Sequence, residues 1–567
     1  MAAPSTDHNG GAGRALKRYG PIVAVLAIIG AVVAFAGGGD DDEGGTKTTA
    51  PTDSSGLPIT YLEAEAAGTE GDFDWGDGCD TETGRVKMPI ADPAPCIEPW
   101  DETADNGGAT AQGVTADEIL VVLYKGQPDP LQQALIEGAG ADTDPNAVNQ
   151  TSQDYINLFT DVYETYGRKV RIEVVEASGG PDDATAAQAD ALKAIDLKPF
   201  AVIGSPTTSA WYQEIVDAGI VCVGCSTAES QEQVDAGAPY LWPTGMSPEQ
   251  ADAHLLEMVG KQFVGKPATF AGDEALHDQE RVFGWVQAET ETGEYTARND
   301  AFEEQLAEEY DGEIASRFTY LFDPGQGADI ATTAIARMKE AGVTTIILSV
   351  DPLIPANITK EATAQDYFPE WIIGPSVLAD TTIFGRTFDQ EQWAHAVGLG
   401  LTAARADREQ TDSYLVYEWY YGTPPPVNSN AVLSPSPERF ALGVHLAGPN
   451  LTPETFEQGL FRAPRGETGL TVARDSWGEG VWPTTDHNSS DDATAIWWNA
   501  TATGKDETGN EGTGMLAYVA GGQRYLPGEW PTDPIPWFEE EGSVTLYDER
   551  PDAPPDYPPW PGSPAAG

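Results

Sequence analysis

Basic side chains are scarce in this chain. Thirty Lys and Arg face 91 Asp and Glu, for a formal charge of -61. A surface of that sign repels phosphate backbones and anionic headgroups. It excludes nucleic-acid binding as the main function, because that affinity comes from cations displacing counterions. Histidine is scarcer still, with six in 567 residues, which leaves little for imidazole catalysis or a His-rich metal centre. No G-x-S-x-G, H-E-x-x-H, P-loop or post-strand G-x-G-x-x-G occurs, and acidic residues are too common for their pairing to mark an acid/base site. No short-period repeat of the solenoid kind is visible. What remains is a non-enzyme expectation with no cofactor and no metal. Apolar residues make up 40% of the chain, enough for large cores, and its length suits two to four domains.

The N-terminus carries Arg14, Lys17 and Arg18, then an apolar run from Pro21 to Ala36, then Asp40–Glu43. Counted from Tyr19 the run is 18 residues, against roughly 17–25 for a spanning helix. The alternatives are a membrane anchor and a cleaved signal peptide with Ala34-Phe35-Ala36 before the cut. Either one exports the rest of the chain, anchored at the cell surface or secreted. The expected organisation is a basic N-terminus (1–20), the apolar segment (21–37), a flexible linker (38–57) and a cysteine-bearing extension (58–112). Then come a first lobe (113–250), a second lobe (251–400), a crossover with returning helices (400–465), a Trp/Gly/Asp-rich irregular wrap (466–549) and a disordered Pro-rich tail (550–567).

Four cysteines suit an oxidising compartment. Cys79 and Cys96 bracket a Pro-rich loop and are expected to pair. Cys222-Val-Gly-Cys225 ends an apolar strand-like run. A straight strand would hold its ends ~10 Å apart at ~3.3 Å per residue, and a disulfide needs less than about 7 Å. The pair therefore closes only if the chain turns at Gly224. A local structural disulfide is favoured over redox chemistry, and a zinc half-site lacks its second pair of ligands.

From residue 115 apolar strand runs alternate with helical periodicity. Strands are expected at 118–124, 170–175, 200–203, 220–223, 268–271, 343–350 and 370–373. Helices are expected at 153–166, 182–195, 211–218, from 247, at 299–310 and at 329–341. Ser247-Pro-Glu-Gln supplies an N-cap, a Pro at the first position and an acidic first turn. Two β-α-β-α runs in succession predict an α/β protein with two doubly wound parallel-sheet lobes.

Four segments carry a family likeness. These are Gly113-Val-Thr-Ala-Asp-Glu-Ile-Leu-Val121, Phe200-Ala-Val-Ile-Gly-Ser-Pro-Thr-Thr-Ser209, Asp217-Ala-Gly-Ile-Val-Cys-Val-Gly-Cys-Ser-Thr227 and Ala328–Val350. In that order they resemble type I periplasmic solute-binding proteins of the branched-chain amino acid, amide and urea class, the receptors of ABC importers. The likeness covers about 113–465. It implies two lobes joined by a three-strand hinge that close on a small polar solute, with an importer's membrane subunits as partner. The rival readings are a ligand-sensing receptor without a transport role and an extracellular hydrolase.

The resemblance also places candidate ligand residues. Thr207, Thr208 and Ser209 follow the third strand, where helix capping is the competing role. Ser226 and Thr227 follow the fourth. Tyr124 and Lys125 end the first strand, and Lys125 either binds an anionic solute or neutralises nearby carboxylates. Phe283 and Trp285 either stack on a ligand or fill the core. Asp351 ends a strand and is a candidate for an ammonium group. Ser376 stands where amino-acid-binding members place an acidic residue, a departure from the family pattern. In the wrap, Asp486, Asp491 and Asp492 offer carboxylates without the alternation of a calcium loop. Its aromatics (Trp482, Trp497, Trp498, Tyr518, Tyr525, Trp530) read as packing onto the lobes.

Overall fold

The computed structural model describes residues 52–127, 144–225, 229–289, 293, 295–321, 323–375, 378–466 and 469–566. The N-terminal apolar segment and candidates Ser226, Thr227 and Ser376 lie outside them. Among the described residues no helix is long and apolar enough to cross a membrane.

The cysteine-bearing extension contains α1 (Tyr61–Ala67) and a small antiparallel pair, β1 (Cys79–Asp80) and β2 (Arg85–Val86). Thr60 and Glu63 form a capping box that starts α1. Cys79 and Cys96 are bonded, with their Cα atoms 5.6 Å apart.

The first lobe is a parallel sheet of β3 (Glu118–Lys125), β4 (Lys169–Glu176), β5 (Ala201–Ile203), β6 (Val221–Val223) and β7 (Leu241–Trp242). Its spatial order is β4-β3-β5-β6-β7. The intervening helices are α2 (Pro145–Val162), α3 (Ala184–Asp196), α4 (Ala210–Asp217) and α5 (Gln231–Gly237). β3 is apolar along nearly its whole length because both of its faces are covered. On one face Val122 and Val202 pack with Ala187, Ala191, Trp211 and Ile215 of α3 and α4. On the other, Val121 and Leu123 meet Phe440, Val444, Phe456 and Leu460. Those last four come from much later in the chain, from helices that return to the first lobe.

The second lobe opens with α6 (Pro248–Gln262), where Ser247 is the expected N-cap and forms a capping box with Gln250. Its parallel strands are β8 (Phe283–Glu289), β9 (Ile314–Leu321), β10 (Thr345–Ser349), β11 (Glu370–Ile373) and β12 (Ala396–Gly400), with α7 (Tyr295–Tyr310), α8 (Gly327–Glu340) and α9 (Ile354–Ala364) between them. The order β9-β8-β10-β11-β12 repeats the first lobe's winding. The expected strand at 268–271 is absent. The lobe's first strand is β8 instead.

Helices α10 (Asp412–Tyr421), α11 (Pro435–Ala447) and α12 (Pro453–Arg462) then return to the first lobe. There Val416 and Tyr417 of α10 share a core with Tyr155 and Phe159 of α2 and with Val86, Met88 and Ile90 of the extension.

Two expectations about the C-terminal hundred residues are corrected. The wrap is not irregular. It contributes β13 (Ala493–Lys505), β14 (Glu511–Tyr518) and β15 (Arg524–Tyr525), added antiparallel to the second sheet from β12 outward. The wrap aromatics are buried: Trp498, Tyr518 and Trp530 are each about 1% exposed. Nor is the Pro-rich tail loose. Arg550 pairs with Asp412, the Trp419 indole donates to the Pro558 carbonyl at 2.8 Å, and the Tyr557 hydroxyl donates to Asp80 at 2.7 Å. Aromatic and hydrogen-bonded anchors hold a segment whose composition suggests disorder.

Among the described residues the chain passes between the lobes at 243–247, 401–411, 469–492 and again at 545–549. The resemblance implied three passages. The fourth runs beside the second, where Ala406 and Tyr547 bridge in parallel and Tyr547 N donates to the Arg405 carbonyl.

Candidate functional site

In doubly wound sheets ligands bind beyond the carboxyl ends of the strands, where the order of winding reverses. In the first sheet that point lies between β3 and β5, and in the second between β8 and β10. The first sheet hands the chain to the second lobe just after β7. The second hands it back just after β12. Both carboxyl edges are therefore the edges turned toward the partner lobe.

On the first edge, Lys125 Nζ lies 3.1 Å from the Glu176 carboxylate and 2.9 Å from Asn146 Oδ1. Glu176 ends β4 directly across the ladder from Lys125, so the cation is already matched. This is the neutralising role named above. Tyr124 turns inward. Its ring packs 4.5 Å from the Trp211 ring, and burial, with Asp190 nearby, pushes its phenol up to about 12.

Gly204 ends β5 at φ 81°, a turn that favours glycine, and releases the hydroxyl-rich segment. Thr207 donates its hydroxyl to Asp182, and its N–H to the Pro181 carbonyl. Thr208 Oγ1 accepts from Ala210 N at a long 3.4 Å. Ser209 occupies the N-cap position of α4, yet its side chain makes no capping bond. Of the three hydroxyls it is the least committed to the helix.

Beyond β6, Gly224 adopts φ +65° and turns the chain, so that Cys222 and Cys225 come within 5.5 Å (Cα to Cα) and bond. Both are buried in the first lobe's core. An inert structural clamp at the base of the next loop fits that burial better than an exchanging thiol pair.

On the second edge, Phe283 and Trp285 do not reach the cleft. Both lie within β8 in the core, the Trp285 ring 4.6 Å from Phe302, and its indole donates to Ser349 Oγ. Apolar residues alternating along a strand point at the covering helices, and this face meets α6 and α7. Asp351 follows β10, but its carboxylate is occupied. It accepts from the Leu353 and Ile354 amides at 2.8 and 3.0 Å, starting α9, and from the Tyr320 hydroxyl. Burial, Asp351's charge and that hydrogen bond together hold the Tyr320 phenol well above its ordinary range.

The sequence reading missed two amides. Gln287, near the carboxyl end of β8, is 1% exposed, and Asn299 on α7 is fully buried. Neither amide's oxygen or nitrogen has a hydrogen-bond partner among the described residues. A lone Gln inside the apolar run Phe283–Ala288 was the available signal.

The carboxylates of the wrap do not converge. Asp492 pairs with buried Arg524 at 2.7 Å, Asp491 accepts from Ser476 and Trp482, and Asp486 accepts from Asn488. Among the described residues no carboxylate, His or Cys cluster suits a metal ion.

No protein-family model matches the chain, and no curated protein matches it. Solved structures do. A leucine-, isoleucine-, valine-, threonine- and alanine-binding protein from Brucella ovis, in a closed conformation, aligns with a TM-score of 0.50 at 12% identity over 76% of this chain and 100% of its own. An ABC transporter substrate-binding protein from Sphaerobacter thermophilus gives 0.50 at 12% identity over 73% and 100%. The fold is that of type I periplasmic binding proteins. A third neighbour is a fatty acid ABC transporter substrate-binding protein from Thermomonospora curvata, at TM-score 0.48 and 16% identity over 76% of this chain and 97% of that one. The shared part is about three quarters of the chain.

Proposed function

We propose that this chain is an extracytoplasmic solute-binding protein that captures a small polar solute, such as an amino acid or amide, between its two lobes. The observation that carries the reading is the pair of identically wound parallel sheets with their carboxyl edges turned toward each other. The chain passing between them supplies a hinge. The Sphaerobacter neighbour is named as an ABC transporter substrate-binding protein and the Brucella neighbour for the amino acids it binds, which supports delivery to an importer and an amino-acid-like solute. Ser209, Thr208 and the amides opening α4 offer donors to a carboxylate or carbonyl from the first lobe. The family resemblance adds Ser226, Thr227 and Ser376 as further candidate ligand residues. The N-terminal apolar segment keeps the receptor at the outer face of the membrane or exports it.

A thermal-shift screen of the full-length chain against amino acids, amides, urea, polyamines, small carboxylates and sugars tests this. A solute at 100 times its Kd adds about 2.7 kcal/mol, and Ser209→Ala should remove most of that gain. Small-angle scattering should show the chain compacting with the same solute. A folded chain that shifts with no class, or binds without compaction, would sink the reading. Turnover of the bound compound would favour the hydrolase alternative.

A further inference from the structure

Sheet edges expose backbone groups that would bond to another strand, so proteins cover, shorten or charge them. The second sheet is extended past β12 by β13 and β14, and the first sheet ends on one side with β7, only two residues long. The first sheet's other edge is β4, eight residues long, and among the described residues no strand pairs with its outer side. Its bonds to β3 run from the odd positions. Lys169 N donates to the Asp117 carbonyl, and Ala177 N, just past the strand, to the Lys125 carbonyl. Alternation then turns the N–H and C=O groups of Val170, Ile172, Val174 and Glu176 outward. No described residue bonds to them.

The strand complements itself. Its sequence is Lys169-Val-Arg-Ile-Glu-Val-Val-Glu176. On one face Val170, Ile172 and Val174 form an apolar row. The first two pack partly on the first lobe's core, and Val174 is 37% exposed. On the other face Arg171 and Glu173 are bonded to each other, with side chains 44% and 45% exposed. A second β4 can be laid antiparallel about a twofold axis at Ile172. Val170 then meets the partner's Val174, and the two Ile172 residues meet each other. The outward backbone groups exchange bonds in those pairs, and the apolar rows line up. In the non-bonded pairs between them, the closest in such a ladder, each Arg171 faces the partner's Glu173. Sliding by the two residues that keep the backbone groups paired sets Arg171 against Arg171 or Glu173 against Glu173, which is destabilising. Charge, apolar row and backbone thus select one register. The second sheet's open edge, β9, offers no such match. Its one charged residue is Arg317, already held by Asp300 and Glu303.

We propose that two copies of this chain associate through their β4 edges, antiparallel and centred on Ile172, so that the two first-lobe sheets become one continuous sheet. The contact lies wholly in the first lobe. It leaves each second lobe free and does not depend on what the interlobe cleft binds. A contact built on one strand is small, so the dimer is reversible. The charge of -61 on each chain opposes it at long range, and salt screens that repulsion more than it weakens bonds made at contact.

The test is sedimentation velocity of the full-length chain in mild detergent and moderate salt, over a rising concentration series, together with cysteine cross-linking. All four native cysteines are in disulfides, so an added thiol reports alone. Ile172→Cys should give a covalent dimer on mild oxidation, because bonded pairs stand ~5.5 Å apart between Cα atoms, within disulfide reach. Val174→Cys is the more exposed position, yet it should not cross-link. Its counterpart in the partner lies four residues along the strand, about 13 Å away at ~3.3 Å per residue. Arg171→Glu should raise the concentration needed for dimer at least tenfold, and adding Glu173→Arg should recover most of that loss. Val174→Pro removes an outward N–H, spares the β3 ladder and should weaken the dimer as much. A wild-type chain that stays monomeric, a dimer unmoved by Arg171→Glu, or Val174→Cys cross-linking as readily as Ile172→Cys would each overturn the proposal. Should Arg171→Glu fold poorly, the two cysteine variants decide the matter.

Discussion

Replacing Asp491 with Asn should stabilise the protein by an amount that grows from pH 5 to pH 7 and levels off above. Asp491 is fully buried in the third passage. Its carboxylate accepts from Ser476 Oγ and from Trp482 Nε1 at 2.9 Å, and its carbonyl meets His254 Nε2 at 3.0 Å. No cation touches the carboxylate. Burial, reinforced by Asp486 and Asp475, pushes it up from 3.8 to about 7. A group whose native pKa is raised contributes stability that is complete below the unfolded value and is lost as pH climbs through the native one. From pH 5 to pH 7 the unfolded chain is ionised and the native carboxyl is not. Stability therefore falls by about 1.4 kcal/mol per pH unit, about 3 kcal/mol in all. Asn keeps the geometry: its oxygen accepts from Trp482, its amide donates to the Ser476 hydroxyl, and it does not titrate. Urea melts at pH 5 and pH 8 should show the advantage of Asp491→Asn growing by about 3 kcal/mol between the two, roughly 6–12 °C in the Tm of a mid-sized domain. A variant that loses the same stability at both pH values would show that the native carboxylate is charged and its hydrogen bonds dominate, which refutes the argument.

Arg281→Ala should cost about 3–5 kcal/mol. It strands Glu370, a 1% exposed carboxylate that Arg281 holds through two bonds of 2.7 and 2.9 Å, and adding Glu370→Gln should recover part of the loss in a urea midpoint. Gly224→Ala should cost about 2–4 kcal/mol, because the residue sits at φ +65° and a methyl would fall 2.1 Å from Ser436 Oγ. An unchanged melting temperature would contradict that packing. Changing Cys79 and Cys96 together to Ser removes a bond closing a 17-residue separation, worth about 3 kcal/mol. Limited proteolysis should then cut within 58–112 before any lobe, and equal resistance to the wild type would count against it.

How far the sequence alone reached depends on the range of the contacts involved. The twofold β-α-β-α alternation, the buried run of β3 and the Ser247 N-cap are local patterns. They were legible because periodicity and capping chemistry act within a few residues. The turn at Gly224 was legible for the same reason, since only a turn lets Cys222 reach Cys225. β13 was not legible. Its Ala- and Trp-rich run becomes a strand because β12 presents a partner edge, and strand preference follows that context more than composition. The Pro-rich tail reads as disorder until Trp419, Asp412 and Asp80, all from distant parts of the chain, give it anchors.

The candidate site divides the same way. Its position at the carboxyl edges of two wound sheets follows from element order, which the sequence determined. Which side chains remain free there was decided by tertiary structure. Lys125 is spent on Glu176, Asp351 on α9 and Tyr320, and Phe283 and Trp285 on the core. Gln287 stands without a hydrogen-bond partner among the described residues because no distant segment brought it one. Sequence specifies which groups can pair, and folding decides which of them do.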